Sequence, residues 1–291
     1  MAEYSFYPGC TAHSTGLEYS MSLHAVAHTL GIELKEIDDW NCCGGAAARS
    51  VSNLLGLALP ARNIAKAQEA DLPLAIPCPG CFNAMRRAQH ALSEESAMKT
   101  HLEEVVEFEY KPGLDIVAMH EVFLEPTMLE QLESSVVKPL QGLKVASYYG
   151  CALVRHPEIV QMGDHENPVF LDQLVESLGG EVVDWSYKTD CCGADLAMTH
   201  GKVASEIADT IAGMAAEAGA DCLMASCGLC QVNLDMRQTG PPKKRLPIFY
   251  FTELMGIAMD LPGRKPWWGM HIVNPRPLLK ARKLMGRGGR S

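Results

Sequence analysis

The chain has 291 residues, of which 47% are hydrophobic and 21% charged, and its formal net charge is −10. These values are typical of a globular protein of about two domains that buries a sizeable core. The chain contains no apolar run of the roughly 20 residues that a membrane helix needs and does not begin with a secretory signal, so we expect a cytoplasmic protein without a membrane span. Its acidic body argues against nucleic-acid binding.

The first half of the chain alternates predicted strands and helices. Hydrophobic periodicity and glycine stops indicate, in chain order, a strand at 3–7, a helix at 16–31, a strand at 32–37, a helix at about 50–70, a strand at 72–76 and, at 115–122, a strand that leads into a helix. Cysteines follow the first three strands: Cys10 the first, Cys42 and Cys43 the second, and Cys78 and Cys81 the third.

The second half repeats this order. The predicted elements are a strand at 143–149, a helix at 168–179, a strand at 181–185, a helix at about 200–218, a strand at 221–225 and, at 247–254, another strand that leads into a helix. Cysteines again follow the first three strands, as Cys151, then Cys191 and Cys192, then Cys227 and Cys230.

This alternation predicts an α/β fold of two pseudo-symmetric repeats, each a small parallel sheet flanked by helices. We divide the chain into a first domain (1–124), a linker (125–142) with a short helix at 128–134, a second domain (143–260) and a basic tail (261–291). Because parallel sheets bind ligands at the carboxyl ends of their strands, the cysteines of each half should converge there.

The tail differs from the rest of the chain in charge. All 35 acidic residues precede Leu261, whereas eight basic residues follow Asp260: Arg264, Lys265, Arg276, Lys280, Arg282, Lys283, Arg287 and Arg290. We interpret the tail as an arm that docks on an acidic partner subunit or on the protein's own body. A solvated end is the alternative, although Trp267, Trp268 and Ile272 favour packing.

Ten of the eleven cysteines belong to two copies of one pattern. The lone cysteine and the vicinal pair are separated by 31 residues in the first copy (11–41) and by 39 in the second (152–190). The vicinal pair and the C-x-x-C motif are separated by 34 residues in both (44–77 and 193–226). This equality indicates an internal duplication with one function in each half. Cys222 lies outside the pattern, and we predict that it is a buried strand thiol.

Four kinds of chemistry use cysteines in such numbers. Structural disulfides suit neither adjacent cysteines nor a cytoplasmic chain. Zinc stays an alternative because C-x-x-C is a common half-site, although tetrahedral zinc needs four ligands and not five. A thioredoxin-type dithiol would need only one C-x-x-C per domain. An iron–sulfur cluster in each half would use all five thiolates, so we favour this interpretation.

Basic residues beside the cysteines are candidate substrate contacts. Arg155 and His156 follow Cys151, Lys188 precedes the second vicinal pair, and Arg49 follows the first. Close to a cluster, such side chains could hold an anionic substrate or give a proton to a leaving thiolate. The alternative for each is a solvated side chain or a structural ion pair.

The motifs C-x₃₁-C-C-G-x₃₃-C-P-G-C and C-x₃₉-C-C-G-x₃₃-C-G-L-C resemble the tandem CCG, or cysteine-rich, domain. Over roughly residues 3–256 the chain is similar to the catalytic B subunit of heterodisulfide reductase. The resemblance implies two noncubane [4Fe-4S] clusters that together cleave a disulfide placed between them. It implies Cys10, Cys42, Cys43, Cys78 and Cys81 as ligands of one cluster, and Cys151, Cys191, Cys192, Cys227 and Cys230 as ligands of the other.

The resemblance also implies partners, namely a ferredoxin-like C subunit and a flavin-containing A subunit. Gly44 and Ala152 stand where methanogenic members tend to have proline and histidine. This difference favours a bacterial-type relative in sulfur metabolism, acting in either direction on another disulfide, a persulfide or a protein-bound sulfur compound. Related domains also serve lactate, glycolate and succinate oxidoreductases as subunits that pass electrons toward quinone, which is the alternative function. A zinc-stabilised interaction module is the third.

Overall fold

The computed structural model describes residues 2–94 and 96–286. Eight strands are present there: β1 (Ala2–Phe6), β2 (Ile32–Glu36), β3 (Leu74–Ile76), β4 (Ile116–Ala118), β5 (Lys144–Tyr148), β6 (Glu181–Val182), β7 (Cys222–Ala225) and β8 (Ile248–Tyr250). The helices are α1 (Leu17–Thr29), α2 (Gly45–Val51), α3 (Asn53–Ala67), α4 (Pro79–Ser93), α5 (Ala97–Val106), α6 (Met119–Leu124), α7 (Pro126–Ser134), α8 (Pro157–Val160), α9 (Phe170–Ser177), α10 (Gly201–Glu217), α11 (Gly228–Met236), α12 (Phe251–Ala258) and α13 (Arg276–Ala281). None of these helices is long and apolar enough to cross a membrane.

The strands form two four-stranded parallel sheets of identical topology, β2-β1-β3-β4 and β6-β5-β7-β8. In each sheet the second strand along the chain pairs with one side of the first and forms an edge. The third strand then pairs with the other side of the first. Ser5 pairs with Leu74 where β1 meets β3, and Val145 pairs with Cys222 where β5 meets β7. Ligands bind at such reversals of strand order in parallel sheets. The predicted fold class is therefore confirmed, and Cys222 is a fully buried strand residue as predicted.

Three local features differ from the sequence prediction. The helix predicted at about 50–70 begins at Asn53, because Ser52 is extended and caps α3, and the separate helix α2 precedes it. Strand β6 ends at Val182 and not at residue 185, since Trp185 leaves the sheet edge and its Nε1 donates a hydrogen bond to Ser147 O at 3.0 Å. The helices α5, α8 and α13 were not predicted.

The two halves share one core, which is arranged around a pseudo-twofold axis. Helix α1 packs against α12 of the other half, and α9 packs against α6 in the equivalent contact. In the first contact Tyr19 stacks on Tyr250 with ring centroids 4.3 Å apart, and Ser22 Oγ lies 2.7 Å from Thr252 Oγ1. Buried apolar side chains from both halves form each of the two core clusters. The site described below therefore lies inside a single packed body.

The basic tail packs on the protein's own body over its described part, which is one of its two predicted roles. Trp267 and Trp268 are buried against the core, and Arg282 Nη2 lies 2.9 and 2.7 Å from the two carboxylate oxygens of Asp221. Ile272 is 58% exposed, so the prediction of its packing is wrong. The predicted basic residues Arg287 and Arg290 lie outside the described residues.

Candidate functional site

Each lone cysteine is reached through a glycine in the left-handed region. Gly9 has φ +74° and Gly150 has φ +65°, a conformation that glycine adopts without steric cost. A Cβ atom at Gly9 would lie 3.3 Å from Cys81 Sγ, and one at Gly150 would lie 3.5 Å from Cys230 Sγ. These two positions let the backbone after β1 and β5 pass close to the thiols.

Each vicinal pair of cysteines is followed by a glycine whose backbone amide points toward sulfur. Gly44 N donates to Cys42 Sγ and Gly193 N donates to Cys191 Sγ, both at 3.4 Å. Both glycines have positive φ, and a Cβ atom at Gly44 would lie only 2.5 Å from Ala48 Cβ. Amides directed at sulfur stabilise the thiolate form.

Each C-x-x-C motif lies at the start of a helix. Cys78 is the N-cap of α4, which begins at Pro79, and Cys227 is the N-cap of α11, which begins at Gly228. The positive end of each helix dipole favours a thiolate there.

The ten cysteines of the pattern form one continuous row of interacting side chains that crosses both halves. Cys78 and Cys227 meet in the middle of the row. Outward from Cys78 the order is Cys81, Cys43, Cys42 and Cys10, and outward from Cys227 it is Cys230, Cys192, Cys191 and Cys151. The Sγ atoms of Cys43 and Cys81 are 3.1 Å apart, and those of Cys192 and Cys230 are 3.3 Å apart. The order obeys the pseudo-twofold symmetry.

Contacts within the row shift the protonation of the thiols. Hydrogen bonds from Cys42 and Cys81 lower the pKa of Cys43 to about 4. In the other half, hydrogen bonds from Cys151 and Cys192 lower the pKa of Cys191 to about 2. Each half therefore holds a thiolate at neutral pH, which is the form that binds iron or zinc.

The row is buried in the middle and accessible at its ends. Cys43, Cys78, Cys81, Cys192, Cys227 and Cys230 are buried, whereas Cys10, Cys42 and Cys191 are exposed. A groove of about 320 Å³ opens beside Cys191 and is lined by Val203, Ile207 and Glu206. A substrate or a partner protein can reach the row from its ends.

Two buried tyrosines that sequence analysis did not identify line the row. Tyr7 Oη donates to Asn41 O at 2.9 Å, and Tyr148 Oη donates to Asp190 O at 2.6 Å. Each carbonyl belongs to the residue just before a vicinal pair. The tyrosines occupy the same position in both repeats, three residues before the lone cysteine, so an alignment of the two halves could have found them.

Three of the four predicted substrate contacts are exposed: Arg49 on α2, and Arg155 and His156 beside an end of the row. Arg155 and His156 are exposed and follow Cys151, whose carbonyl oxygen accepts a hydrogen bond from Arg155 N at 2.9 Å. His156 has φ +58°, and its Nδ1 lies 3.7 Å from Glu158 Oε1. The fourth predicted contact, Lys188, lies elsewhere.

Lys188 is buried inside the second half. Its Nζ lies 3.4 Å from Pro168 O and 3.9 Å from Asp172 Oδ2. Its backbone carbonyl accepts hydrogen bonds from Tyr149 N and Gly150 N, at 2.9 and 3.0 Å. Lys188 thus supports the segment that leads to Cys151, and its charge is compensated by neighbouring groups.

The donor set fits an iron–sulfur cluster in each half. Five thiols converge in each, backbone amides point at sulfur, and glycines allow the backbone to approach closely. Within residues 2–94 and 96–286, no three His, Cys, Asp or Glu side chains are arranged to hold a single metal ion.

Comparison with known proteins identifies the same two repeats. The family model of the CCG cysteine-rich domain matches residues 4–86 and 145–235. A crystal structure of a hypothetical protein from Helicobacter pylori has a similar fold, with a TM-score of 0.72 at 12% identity. The match covers 94% of this chain and 52% of that one, so this chain spans about half the length of that protein.

Curated relatives match almost the whole chain. The 8-methylmenaquinol:fumarate reductase membrane anchor subunit of Wolinella succinogenes is 31% identical over 95% of this chain and 99% of its own. The B subunit of the ferredoxin/F(420)H(2)-dependent CoB-CoM heterodisulfide reductase from Methanosarcina acetivorans is 28% identical over 89% of this chain and 90% of its own. A protein from Archaeoglobus profundus, described as similar to the B subunit of heterodisulfide reductase, is 23% identical over 91% of this chain and 93% of its own.

Proposed function

Since the chain belongs to the CCG cysteine-rich domain family, we propose that it is the iron–sulfur subunit of a heterodisulfide-reductase-like complex, which reduces or forms a disulfide or a related sulfur–sulfur bond. The observation that carries the proposal is the convergence of two equivalent cysteine sets, in which Cys43 Sγ lies 3.1 Å from Cys81 Sγ and Cys192 Sγ lies 3.3 Å from Cys230 Sγ. The two sets interact through Cys78 and Cys227. Two five-thiol sets that meet at one point suit a reaction that moves two electrons.

In this proposal each half of the row holds one noncubane [4Fe-4S] cluster, with the ligands of the two sets given above. The clusters would supply one-electron chemistry, so that the pair matches the two electrons that a disulfide takes up. The chain itself keeps the inner thiols buried, and Gly44 and Gly193 direct their backbone amides toward Cys42 Sγ and Cys191 Sγ. Burial of the inner thiols protects them from oxidants and from competing thiol exchange.

Substrate would approach an accessible end of the row. Arg155 and His156, exposed next to Cys151, stay candidate contacts for an anionic group of the substrate. Lys188 is proposed as a positioning residue, because its backbone carbonyl fixes Gly150 and its ammonium group is already surrounded by polar partners. The apolar and acidic groove beside Cys191 could take the remaining part of a substrate or a partner's side chain.

The proposed partners are an electron-donating ferredoxin-like subunit and a flavin-containing subunit, in the cytoplasm. Relatives whose names place them in heterodisulfide reductases support this assignment. The complex could equally run in the oxidative direction, since the same groups would accept the two electrons.

A second function is favoured by the relative from Wolinella succinogenes, whose name places it in a menaquinol:fumarate reductase. In this alternative, the chain is an electron-transfer subunit of a succinate-type oxidoreductase, and its clusters exchange electrons with a quinone pool. Both functions use the same cysteines. They differ in whether sulfur compounds react at the row.

Anaerobic purification followed by iron and sulfide analysis and by electron paramagnetic resonance with candidate thiols tests the proposal. About eight irons and eight sulfides per chain, with signals that change when thiols bind, would support two sulfur-reactive clusters. Full clusters that ignore thiols but are reoxidised by a menaquinone analogue would support the alternative. Zinc without sulfide would contradict both.

A further inference from the structure

The tail brings an imidazole to a carboxylate that is hidden from solvent. His271 Nε2 lies 2.9 Å from Glu253 Oε1, and both side chains are 0% exposed. The other carboxylate oxygen of Glu253 accepts a hydrogen bond from Tyr250 N at 2.9 Å. The pair lies just past the end of β8, at the edge of the sheet where the cysteines of the second half converge.

Two more carboxylates face the same imidazole. Glu18 of α1 is 4% exposed and Asp235 of α11 is 3% exposed, and both act electrostatically on His271. Asp235 accepts hydrogen bonds from Ile272 N and Val273 N, at 2.6 and 3.0 Å, directly after His271 in the chain. Three buried carboxylates and one imidazole cannot all be charged without leaving a net charge in the core, so the group must hold protons.

The protonation of this group follows from burial and mutual charge. Burial is the main cause that raises the pKa of Glu18 and of Asp235. Burial disfavours the charge on His271, but Glu253, Asp235 and Glu18 outweigh it and raise the pKa of His271 to about 9. The ionisable groups that face His271 come from α1, α11 and α12.

Tyr250 connects this group to the cysteine row. Its hydroxyl is buried and has no hydrogen-bond partner among the described residues, and the same holds for His271 Nδ1. A Cβ atom at Gly16, in the turn after Cys10, would lie 3.3 Å from Tyr250 Oη. The ring of Tyr250 stacks on Tyr19 at 4.3 Å, and Tyr19 Oη donates a hydrogen bond to Pro77 O, directly before Cys78, at 2.9 Å. Burial and the charges of Glu18, Glu253 and Cys227 raise the pKa of the Tyr250 phenol. Buried polar atoms without partners in native proteins commonly mark catalytic groups or bound water.

We propose that Glu18, Asp235, Glu253 and His271 form a buried proton reservoir that serves the cysteine row through the Tyr250 hydroxyl. The proposal rests on the proposed function. Disulfide reduction follows R–S–S–R′ + 2 e⁻ + 2 H⁺ → R–SH + R′–SH, in which the sulfur–sulfur bond breaks and each sulfur gains one electron and one proton. The electrons come from the reduced partner subunit. The reservoir supplies the protons and recovers them from solvent.

The first half provides a matched control. Glu121 occupies the position that is equivalent to Glu253, and its Oε2 accepts a hydrogen bond from Ala118 N at 2.7 Å. Glu121 lines an open groove of about 270 Å³, whereas Glu253 is covered by the tail. Glu253→Gln and Glu121→Gln therefore make the same substitution at equivalent positions of α12 and α6. Only Glu253 belongs to the proposed reservoir.

The first measurement is the infrared difference spectrum of the holoprotein on electrochemical reduction. Because Glu253 is the partner of the charged His271, the protonated carboxyl group is expected to be Glu18 or Asp235. Its band should change on reduction, shift in D₂O and persist in Glu121→Gln. It should disappear in Glu253→Gln, because one of the remaining carboxyl groups must then ionise to balance His271. Persistence of the band in Glu253→Gln, or the same loss in both variants, would overturn the proposal. Tyr250→Phe removes only the partnerless hydroxyl, so it tests the link even if Glu253→Gln folds poorly.

The second measurement is the pH profile of disulfide reduction. Tyr250→Phe and His271→Gln should lower the rate about 100-fold, at the lower end of the range for proton transfer by a positioned group, and should shift the alkaline limb. An unchanged profile in Tyr250→Phe would contradict the relay. If the wild-type protein reduces no disulfide yet keeps the Glu253-dependent infrared band, the proposed function fails and the reservoir stands.

Discussion

The two halves of the molecule share their sheets and their cysteines but differ at the turn after the last strand. In the first half the β4–α6 turn borders an open groove, which His120 and Glu121 line. In the second half the tail covers the β8–α12 turn, with Trp267 buried and a Cβ atom at Gly256 only 2.7 Å from its ring. Both repeats have kept their five cysteines, and the halves differ in what surrounds those cysteines.

The same difference appears in the two buried histidines. His120 stacks on Phe170 with ring centroids 4.7 Å apart, and burial lowers the pKa of His120 to about 3. His271 faces carboxylates that raise its pKa to about 9 against the effect of burial. One histidine is therefore neutral and the other charged at pH 7. A charged, buried histidine therefore lies in the second half, whereas the buried histidine of the first half is neutral.

Removal of one inner ligand should produce the largest effect and should affect one half at a time. Cys43→Ala is expected to lose the first cluster and Cys192→Ala the second, each leaving about four of about eight irons per chain. Thiol release should fall to background in both variants, because two electrons need both clusters. Iron and sulfide analysis together with thiol release checks this.

Cys222→Ala is the matched control, because Cys222 is a buried thiol outside the row. It should keep all the iron and lose roughly 1 kcal/mol of stability, as expected when a small buried group is removed. Full iron content and activity in Cys43→Ala or Cys192→Ala would mean that five cysteines per half are not all ligands.

The two histidines should give opposite pH dependences of unfolding. The raised pKa of His271 stabilises the fold fully below its unfolded pKa of 6.5, and this contribution is lost as pH rises through about 9. The lowered pKa of His120 destabilises the fold as pH falls from 6.5 toward about 3. At about 1.4 kcal/mol per pKa unit, the effect could reach about 3 kcal/mol for His271 and about 5 kcal/mol for His120.

Denaturant unfolding of His271→Gln and His120→Gln between pH 4 and 10 measures these contributions. His271→Gln should flatten only the alkaline side of the profile, and His120→Gln only the acidic side. If both variants lost the pH dependence on the same side of the stability profile, the two histidines would not differ as described.

A larger side chain at the contact between the halves should lower the stability by less than the histidine effects do. A Cβ atom at Gly228 would lie 2.7 Å from Thr11 Oγ1, in the turn after Cys10 of the other half. At Gly80, in the first C-x-x-C, the nearest atom would be Cys78 Sγ at 3.8 Å. Gly228→Ala should therefore lose about 1–3 kcal/mol by overpacking, whereas Gly80→Ala should change stability by less than about 0.5 kcal/mol. Equal melting temperatures for the two variants would contradict this contact.

The smallest loss of stability is expected when the ion pair between Arg282 of the tail and Asp221 is removed. Arg282 is paired with Asp221 in a partly exposed contact, with side chains 36% and 21% exposed. Arg282→Ala should lower stability by about 1 kcal/mol or less and the melting temperature by about 2–4 °C, with iron content unchanged. Arg155→Ala, an exposed arginine without an ion pair among the described residues, is the control and should not shift the melting temperature. Loss of iron in Arg282→Ala would assign the tail a direct part in cluster binding.

Local sequence patterns determined the order of strands and helices and the convergence of the cysteines. Alternating apolar residues and glycine stops predicted the parallel sheets, and strand carboxyl ends in such a sheet meet at one edge. Motif spacing was sufficient to group ten cysteines into two sets and to separate Cys222 from them. The helices α2, α5, α8 and α13 were missed. Three of them are short, and helices of fewer than about eight residues depend on tertiary contacts more than on periodicity. The ten-residue α5 buries only the side chain of Leu102.

Only the tertiary structure decided how the halves meet. The contact of Cys78 with Cys227, the burial of Lys188, the packing of the tail and the group around His271 join residues that are far apart in the chain. Periodicity describes which face of a helix or strand is apolar, but not which partner covers that face. The packing of α1 on α12 places Glu18 near Glu253 and His271. This group occurs in the second half, and the repeated cysteine pattern gives no sign of that difference between the halves.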